Sequence, residues 1–282
     1  QIGMVISTRV LTAAAPGGAA IYANAWLLFQ LPYGVIGVSL LTAIMPRLSR
    51  AAADGDTTRL IDDLSLGSRL STVMLVPISA VLTIAGSAIG IALFSWGRAE
   101  VADASRLGTA LAFSAFGILP YALVMLQLRV FYAMKDARTP TLIMIVMTVV
   151  KIPLLYFCAD QLRPEQVVIG VLLVNSLTYV VGAVLGQMWL WVRLGRLQSM
   201  RVVRRIAQTL VAGAAGVAVA VGATYLLHLV LPDGSGPRLV AWLDLILQGA
   251  VTGLVAFGLL AVFRVPELQP AVSRITRLVR RG

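Results

Sequence analysis

The sequence predicts an all-α fold, a polytopic transmembrane bundle of about eight spans. Three observations carry that prediction. Of the 282 residues, 59% are hydrophobic and only 12% are charged, with a mean hydropathy of +0.90. A soluble domain carries about 25% charged residues, so half that fraction leaves too little polar surface to coat a water-soluble globule. Apolar runs of a length that crosses a hydrocarbon core of roughly 30 Å recur along the chain. These runs are continuous and rich in Ala, Leu and Gly, whereas strands would alternate.

In order, the apolar segments are 1–15, 19–45, 70–95, 107–132, 140–158, 167–192, 206–231 and 239–263. The first is short of a full span. The chain opens Gln-Ile-Gly, without an initiator Met or a basic leader, and so reads as a fragment with further helices upstream. Turn signals separate the segments: Ala-Pro-Gly-Gly at 15–18, Arg-Pro-Glu at 163–165 and Pro-Asp-Gly-Ser-Gly-Pro at 232–237.

The net charge of +11 is distributed as the positive-inside rule requires, so no nucleic-acid partner is inferred from it. One set of connections holds Arg47, Arg50, Arg59, Arg69, Lys135, Arg138, Arg193, Arg196, Arg201, Arg204, Arg205, Arg264, Arg274, Arg277, Arg280 and Arg281. The opposite set holds Arg98, Arg106, Arg163 and Arg238, each in a connection that also has an acidic residue. The first set is expected in the cytoplasm, with both ends of this chain on that side. The charged knot Lys135, Asp136, Arg138, followed by Thr139 and Pro140, then reads as a short cytoplasmic turn, with Pro140 suited to a first helical turn. Residues 47–69 interleave Leu60, Ile61, Leu64 and Leu66 with charges, which fits either a surface-lying amphipathic helix or a solvated linker.

Enzyme chemistry finds no support. His228 is the single histidine and no carboxylate–histidine grouping surrounds it in the sequence; Cys158 is the single cysteine. No Walker-type loop is present, and no cofactor is expected. Asp54, Asp56, Asp62 and Asp63 read as charge balance for nearby arginines more than as a metal site. Ionisable groups inside spans are more informative, because they usually face a cavity or a partner. Arg9 and Lys151 are the basic cases and candidate cavity cations; snorkelling to the interface is the competing account. Asp244 fits snorkelling near an outer end. Pro32, Pro77, Pro120 and Pro153 lie inside spans and are candidate kinks for a protein that rocks between two states. Gly86/Gly90, Gly182/Gly186 and Gly249/Gly253 have the small-xxx-small spacing of close helix packing.

The stretch 28–50, LFQLPYGVIGVSLLTAIMPRLSR, resembles the signature of the MurJ/MviN family of lipid II flippases: Phe-x-x-Pro-x-Gly-hydrophobic-hydrophobic-Gly-Val, running into Pro-x-Leu-Ser-basic. FYAMKDARTPT at 131–141 is similar to that family's cytoplasmic turn, and LFSWGR at 93–98 to one of its outer connections. The resemblance covers residues 1–200. It implies the second half of a fourteen-helix transporter of the multidrug/oligosaccharidyl-lipid/polysaccharide exporter superfamily, in a bacterial cytoplasmic membrane. By that division 1–200 is the second lobe, 201–264 two additional helices that in the family form a groove for the polyprenyl tail, and 265–282 a basic cytoplasmic tail. The implied function is flipping of lipid-linked peptidoglycan precursor by alternating access. The implied partners are a polyprenyl-diphosphate-linked sugar, membrane lipids, the N-terminal helices of the same protein and cytoplasmic cell-wall regulators. Many members carry an Asp-Arg pair shortly before the signature proline; here those places read Trp26 and Leu27, so that arginine is not carried over, and Arg9 is our candidate substitute. Competing readings are an exporter of another polyprenyl-linked glycan or drug, and a membrane scaffold for cell-wall proteins.

Overall fold

A computed structural model describes residues 2–14, 17–96, 101–195, 197–232 and 236–268. Within them the chain forms α1 (Ile2–Ala14), α2 (Gly18–Pro32), α3 (Val38–Ala53), α4 (Thr57–Phe94), α5 (Val101–Ser114), α6 (Ile118–Ala133), α7 (Arg138–Gln161), α8 (Pro164–Leu194), α9 (Ser199–Val230) and α10 (Pro237–Val262). A π-turn, Tyr33–Gly37, joins α2 to α3, and a 3-10 turn, Ala115–Gly117, joins α5 to α6. The described residues therefore make eight rods. Seven are long and apolar enough to cross a membrane, and α1 is the shorter one.

The rods outrun the apolar segments. Residues 47–69 form neither a surface helix nor a linker: α3 runs on to Ala53, a turn occupies 54–56, and α4 starts at Thr57. The helix continues because Arg, Leu and Ala sustain helical backbone, and the ends find local caps. Asp56 accepts the Arg59 N–H at 2.9 Å, and Arg47 and Asp63 face each other across the hairpin at 2.5 Å. α9 likewise begins at Ser199, before its apolar run.

Side-chain pairs establish which connections share an end. Asp136 meets Arg193, and Asp62 meets Gln198; Glu267 meets both Arg69 and Arg205 at 3.1 Å. These define a basic end. At the other end Arg238 donates to Ser95 and lies 4.8 Å over the Trp96 ring. The first set of sequence charges that the described residues include thus gathers at one end. Arg98, Arg196 and the residues of the tail beyond 268 lie outside the described residues.

The α4, α5–α6 and α8 rods form the centre, about half buried, whereas α2–α3, α7, α9 and α10 are mostly uncovered. One apolar cluster near the basic end joins Leu48, Leu64, Leu126, Phe131, Ile143 and Leu190. A second joins Leu11, Leu107, Leu155, Val171 and Leu172. Where lipid is as apolar as leucine, such contacts stabilise by close fit and not by escape from water. The fit is tightest between α4 and α5, where a Cβ on Gly90 would lie 2.1 Å from the Ala104 carbonyl oxygen. Gly182 and Gly186 pack against Met147 and Gln127. The third pair departs from the sequence expectation: Gly253 has open space around it and Gly249 meets only Val81 at 3.8 Å.

Candidate functional site

The charged knot is a structured turn at the basic end. Backbone bonds from Lys135 N–H to the Tyr132 carbonyl and from Asp136 N–H to the Phe131 carbonyl, both 3.0 Å, close α6. They require a left-handed residue between helix and exit, and Lys135 supplies it with φ 57°. Asp136 then starts α7. It accepts the Arg138 N–H at 3.0 Å, the Thr139 N–H at 3.1 Å and the Thr139 hydroxyl at 2.7 Å, and it pairs with Arg193. The Thr139 hydroxyl and N–H, with the Arg193 guanidinium and the Arg138 N–H, hold its carboxyl below the ordinary carboxylate value, outweighing partial burial. Pro140 sits buried in the first turn of α7, where its missing N–H costs nothing.

Arg9 and Lys151 lie on the α1–α7 side of the bundle. Arg9 is exposed and makes no ion pair among the described residues; it stands five residues, about 8 Å, before the end of α1. Thr8 and Thr12 flank it on the exposed side and return their hydroxyls to the carbonyls of Met4 and Thr8. Lys151 is half-buried near the middle of α7, about 20 Å from Arg138. A Cβ on Gly3 would meet its Cδ at 3.4 Å and its Nζ at 3.7 Å, so the lysine stem fills the notch left by that glycine. No direct contact between Arg9 and Lys151 occurs among the described residues. Leu27, the place where the sequence resemblance would put an arginine, is 62% exposed, and Trp26 turns inward.

Trp26 belongs to an aromatic layer that sequence reasoning missed. Tyr22, Trp26, Phe29 and Tyr33 follow helical spacing on one side of α2 and its π-turn, and they meet Tyr121 of α6 and Tyr179 of α8. Centroid distances are 5.1 Å for Trp26–Phe29, 4.6 Å for Tyr33–Tyr121 and 4.7 Å for Tyr121–Tyr179. Asn175 donates to the Tyr22 hydroxyl at 2.8 Å. The i, i+4, i+7, i+11 repeat was the available signal. Arg129 was also missed: it is an exposed cation on α6, four residues before the helix ends, within electrostatic reach of the Tyr33 hydroxyl.

The four prolines behave differently. The π-turn starts directly after Pro32, and the Tyr33 ring fills the space beside Gly37. The 3-10 turn falls one helical turn before Pro120, where the proline ring would crowd an α-helical carbonyl. Pro77 and Pro153 lie within continuous α-helix. Pro120 also lines a groove of about 650 Å³ among α4, α6, α8 and α9, together with Ser68, Gln127, Gln187, Trp191 and Ser199. Gln127 is buried there, donating to the Ala183 carbonyl at 3.1 Å and to Gln187 at 3.3 Å, while Gln187 donates to Ser199 at 2.9 Å.

One expectation about acid–base pairs is corrected. His228 does face a carboxylate: its Nε2 lies 2.9 Å from Asp244 across the α9–α10 hairpin, so Asp244 is paired and not simply snorkelling. Sequence inspection overlooked the pair because sixteen residues and a turn separate its members.

This architecture has known counterparts. A "Lipid II flippase MurJ" of Burkholderia cenocepacia is 26% identical over 145 residues, covering 51% of this chain and 28% of that protein. The solved structure "Lipid II flippase MurJ, inward closed conformation" superposes with a TM-score of 0.66 at 19% identity, covering 90% of this chain and 50% of the other; at that identity it speaks for the fold. The chain thus spans about half of that structure, and its match to the curated relative a smaller share. The family model "Lipid II flippase MurJ" matches residues 1–235. With most of its length, from α1 through α9, inside that match, the chain belongs to the MurJ family of flippases, a family of transporters and not of enzymes.

Proposed function

We propose that the chain is the second lobe of a flippase that carries lipid-linked peptidoglycan precursor from the inner to the outer leaflet of a bacterial cytoplasmic membrane, with the basic end in the cytoplasm. The observation that carries this reading, beside the family, is Arg9: an exposed cation without an ion pair among the described residues, on a helix that has no other charge. Such a group is expensive against lipid and is expected to face a wet route. A guanidinium suits the diphosphate of a polyprenyl-linked sugar through charge-assisted hydrogen bonds. Arg129 on α6 offers a second cation toward the basic end, and Lys151 a third, held near mid-helix. The sparsely buried helices α2–α3 and α7 suit a face that meets a second lobe, and the breaks beside Pro32 and Pro120 suit helices that change shape between inward and outward states. One alternative is another polyprenyl-linked glycan as cargo.

The test is complementation by the full-length parent protein in cells depleted of their own flippase, with outer-leaflet lipid II scored directly and membrane levels matched. Arg9→Ala is expected to stop flipping and Arg9→Lys to restore part of it. Normal flipping by both variants would remove Arg9 from the route. An unmutated parent that moves no lipid II while exporting another polyprenyl-linked glycan would decide for the alternative cargo.

A further inference from the structure

At the basic end, on the α4–α9–α10 side, five arginines converge on a recess of about 280 Å³: Arg69 of α4, Arg201, Arg204 and Arg205 of α9, and Arg264 just past α10, with Phe263 completing the wall. We propose that this recess binds a phosphate-bearing anion, specifically the headgroup of an anionic phospholipid in the same leaflet. Nothing in the transport reading requires it, and it lies on other helices than Arg9, Lys151 and Arg129.

The arrangement is built, not a loose scatter of surface charge. Arg201, Arg204 and Arg205 follow i, i+3, i+4 spacing, which places them on one helical face despite their mutual repulsion. α10 closes by the same device as α6: Arg264 takes a left-handed φ of 49°, with the Val265 N–H bonding back to the Leu260 carbonyl at 3.2 Å. That reversal seats Val265, 1% exposed, against Val73, Ala212 and Leu260. It also delivers Glu267 between Arg69 and Arg205, each at 3.1 Å. Arg205 is further held by donating to Gln208 at 2.9 Å, and Arg201 by donating to Gln198 at 2.9 Å. One carboxylate therefore orders the floor of the recess but leaves it strongly positive. Arg204 and Arg264 stand exposed at its mouth and make no ion pair among the described residues. Forked guanidinium donors from three helices match the several acceptor oxygens of a phosphate.

Position argues for a lipid as the source. Each contributing helix turns apolar immediately beyond the recess: α4 after Arg69, α9 from Thr209 onward, and α10 up to Phe263. The recess therefore sits at headgroup depth. Phe263 of its wall and the adjoining Val262 are 41% and 73% exposed and offer an apolar edge for the attached chains. Basic pockets between helices at the cytoplasmic surface are suited to such headgroups.

The experiment uses the full-length parent in neutral detergent. Its thermal midpoint is titrated with phosphatidylglycerol, with phosphatidylcholine and with inorganic pyrophosphate. The test variant is Arg204→Gln/Arg264→Gln, which spares the Glu267 clamp; the charge-matched control is Arg50→Gln/Arg59→Gln, at the same end on α3 and α4. Phosphatidylglycerol is expected to raise the midpoint of the parent and the control where phosphatidylcholine does not. The test variant, with an unchanged midpoint in detergent alone, is expected to need at least about tenfold more of the anionic lipid. Protection by pyrophosphate equal to that by phosphatidylglycerol, and lost in the same variant, would keep the phosphate site and assign it a soluble ligand. Equal responses from the parent and both variants, or equal losses in both variants, would overturn the proposal, because the effect would then be general surface charge.

Discussion

Asp136 and Arg193 join across the basic end of the bundle, tying the turn that opens α7 to the last turn of α8. Fifty-seven residues separate them, so the pair closes a tertiary circuit as well as capping a helix. Asp136→Ala removes the cap and the ion pair together and is expected to lower stability by about 1–2 kcal/mol, read as a drop in the thermal midpoint of detergent-purified protein. Asp136→Asn keeps an acceptor for the Arg138 and Thr139 N–H groups and should lose less. Equal losses from both would mean that the cap contributes little.

The same carboxyl predicts a pH dependence. Its folded value is depressed by the Thr139 hydroxyl first, and then by the Thr139 N–H and the Arg193 charge. A depressed carboxyl stabilises the fold fully above its unfolded value, about 3.9, and loses that contribution as pH falls through the folded value. The gap in midpoint between the parent and Asp136→Asn should therefore stay constant from about pH 5 to 8 and narrow below about pH 4. A gap that narrows near neutrality would assign the effect to another group.

Lys135 occupies the left-handed position that ends α6 and is exposed there. A side chain in that conformation is disfavoured by roughly 1–2 kcal/mol, which glycine avoids while losing more freedom on folding. Lys135→Gly is expected to stabilise by up to about 1 kcal/mol, measured in the same midpoint assay. A destabilised variant would show that the lysine side chain makes a favourable contact that outweighs its backbone cost.

Glu267 holds Arg69 and Arg205 while its own side chain is only 3% exposed. Glu267→Gln leaves two largely covered guanidiniums without their counter-charge, at a cost of about 2–4 kcal/mol when discounted for their partial exposure. The expected signature is local: amide exchange should quicken at the end of α10 and the start of α9 before the bundle as a whole melts. Uniform protection in the variant would show that Val265 alone anchors the segment.

The spans were legible because a continuous apolar run has few other stable fates, and the turn at 135–138 because charge and proline interrupt two such runs. Helix ends were not, since within Arg47–Arg69 only Asp54-Gly55-Asp56 interrupts the helical backbone, and it lies well past the end of the apolar stretch. Pairs such as His228–Asp244 and Asp136–Arg193 depend on which helices become neighbours, and hydropathy carries no such information. Arg9 was legible as an unusual residue because it is the one charge in its apolar segment. The Trp26 side of α2 was legible only as a stripe, because its partners Tyr121 and Tyr179 come from other helices.

The glycine pairs show how one sequence pattern divides into opposite physical outcomes. Gly86/Gly90 and Gly249/Gly253 have identical spacing, yet only the first pair faces another backbone. A Cβ on Gly90 would stand 2.1 Å from the Ala104 carbonyl oxygen and 2.8 Å from the Gly108 nitrogen. Neither is the movable end of a side chain, so α4 and α5 would have to separate. Gly90→Ala is expected to cost about 1–3 kcal/mol or more. Gly253 has nothing within 4 Å of the same atom, so alanine there meets open space and gains helix propensity, a change of up to about 1 kcal/mol in the stabilising direction. Thermal midpoints of the two single variants should move in opposite directions from the parent. If both fell by similar amounts, the α10 face carrying Gly253 would be packed against something in the full-length protein, and the second pair would regain the reading its spacing first suggested.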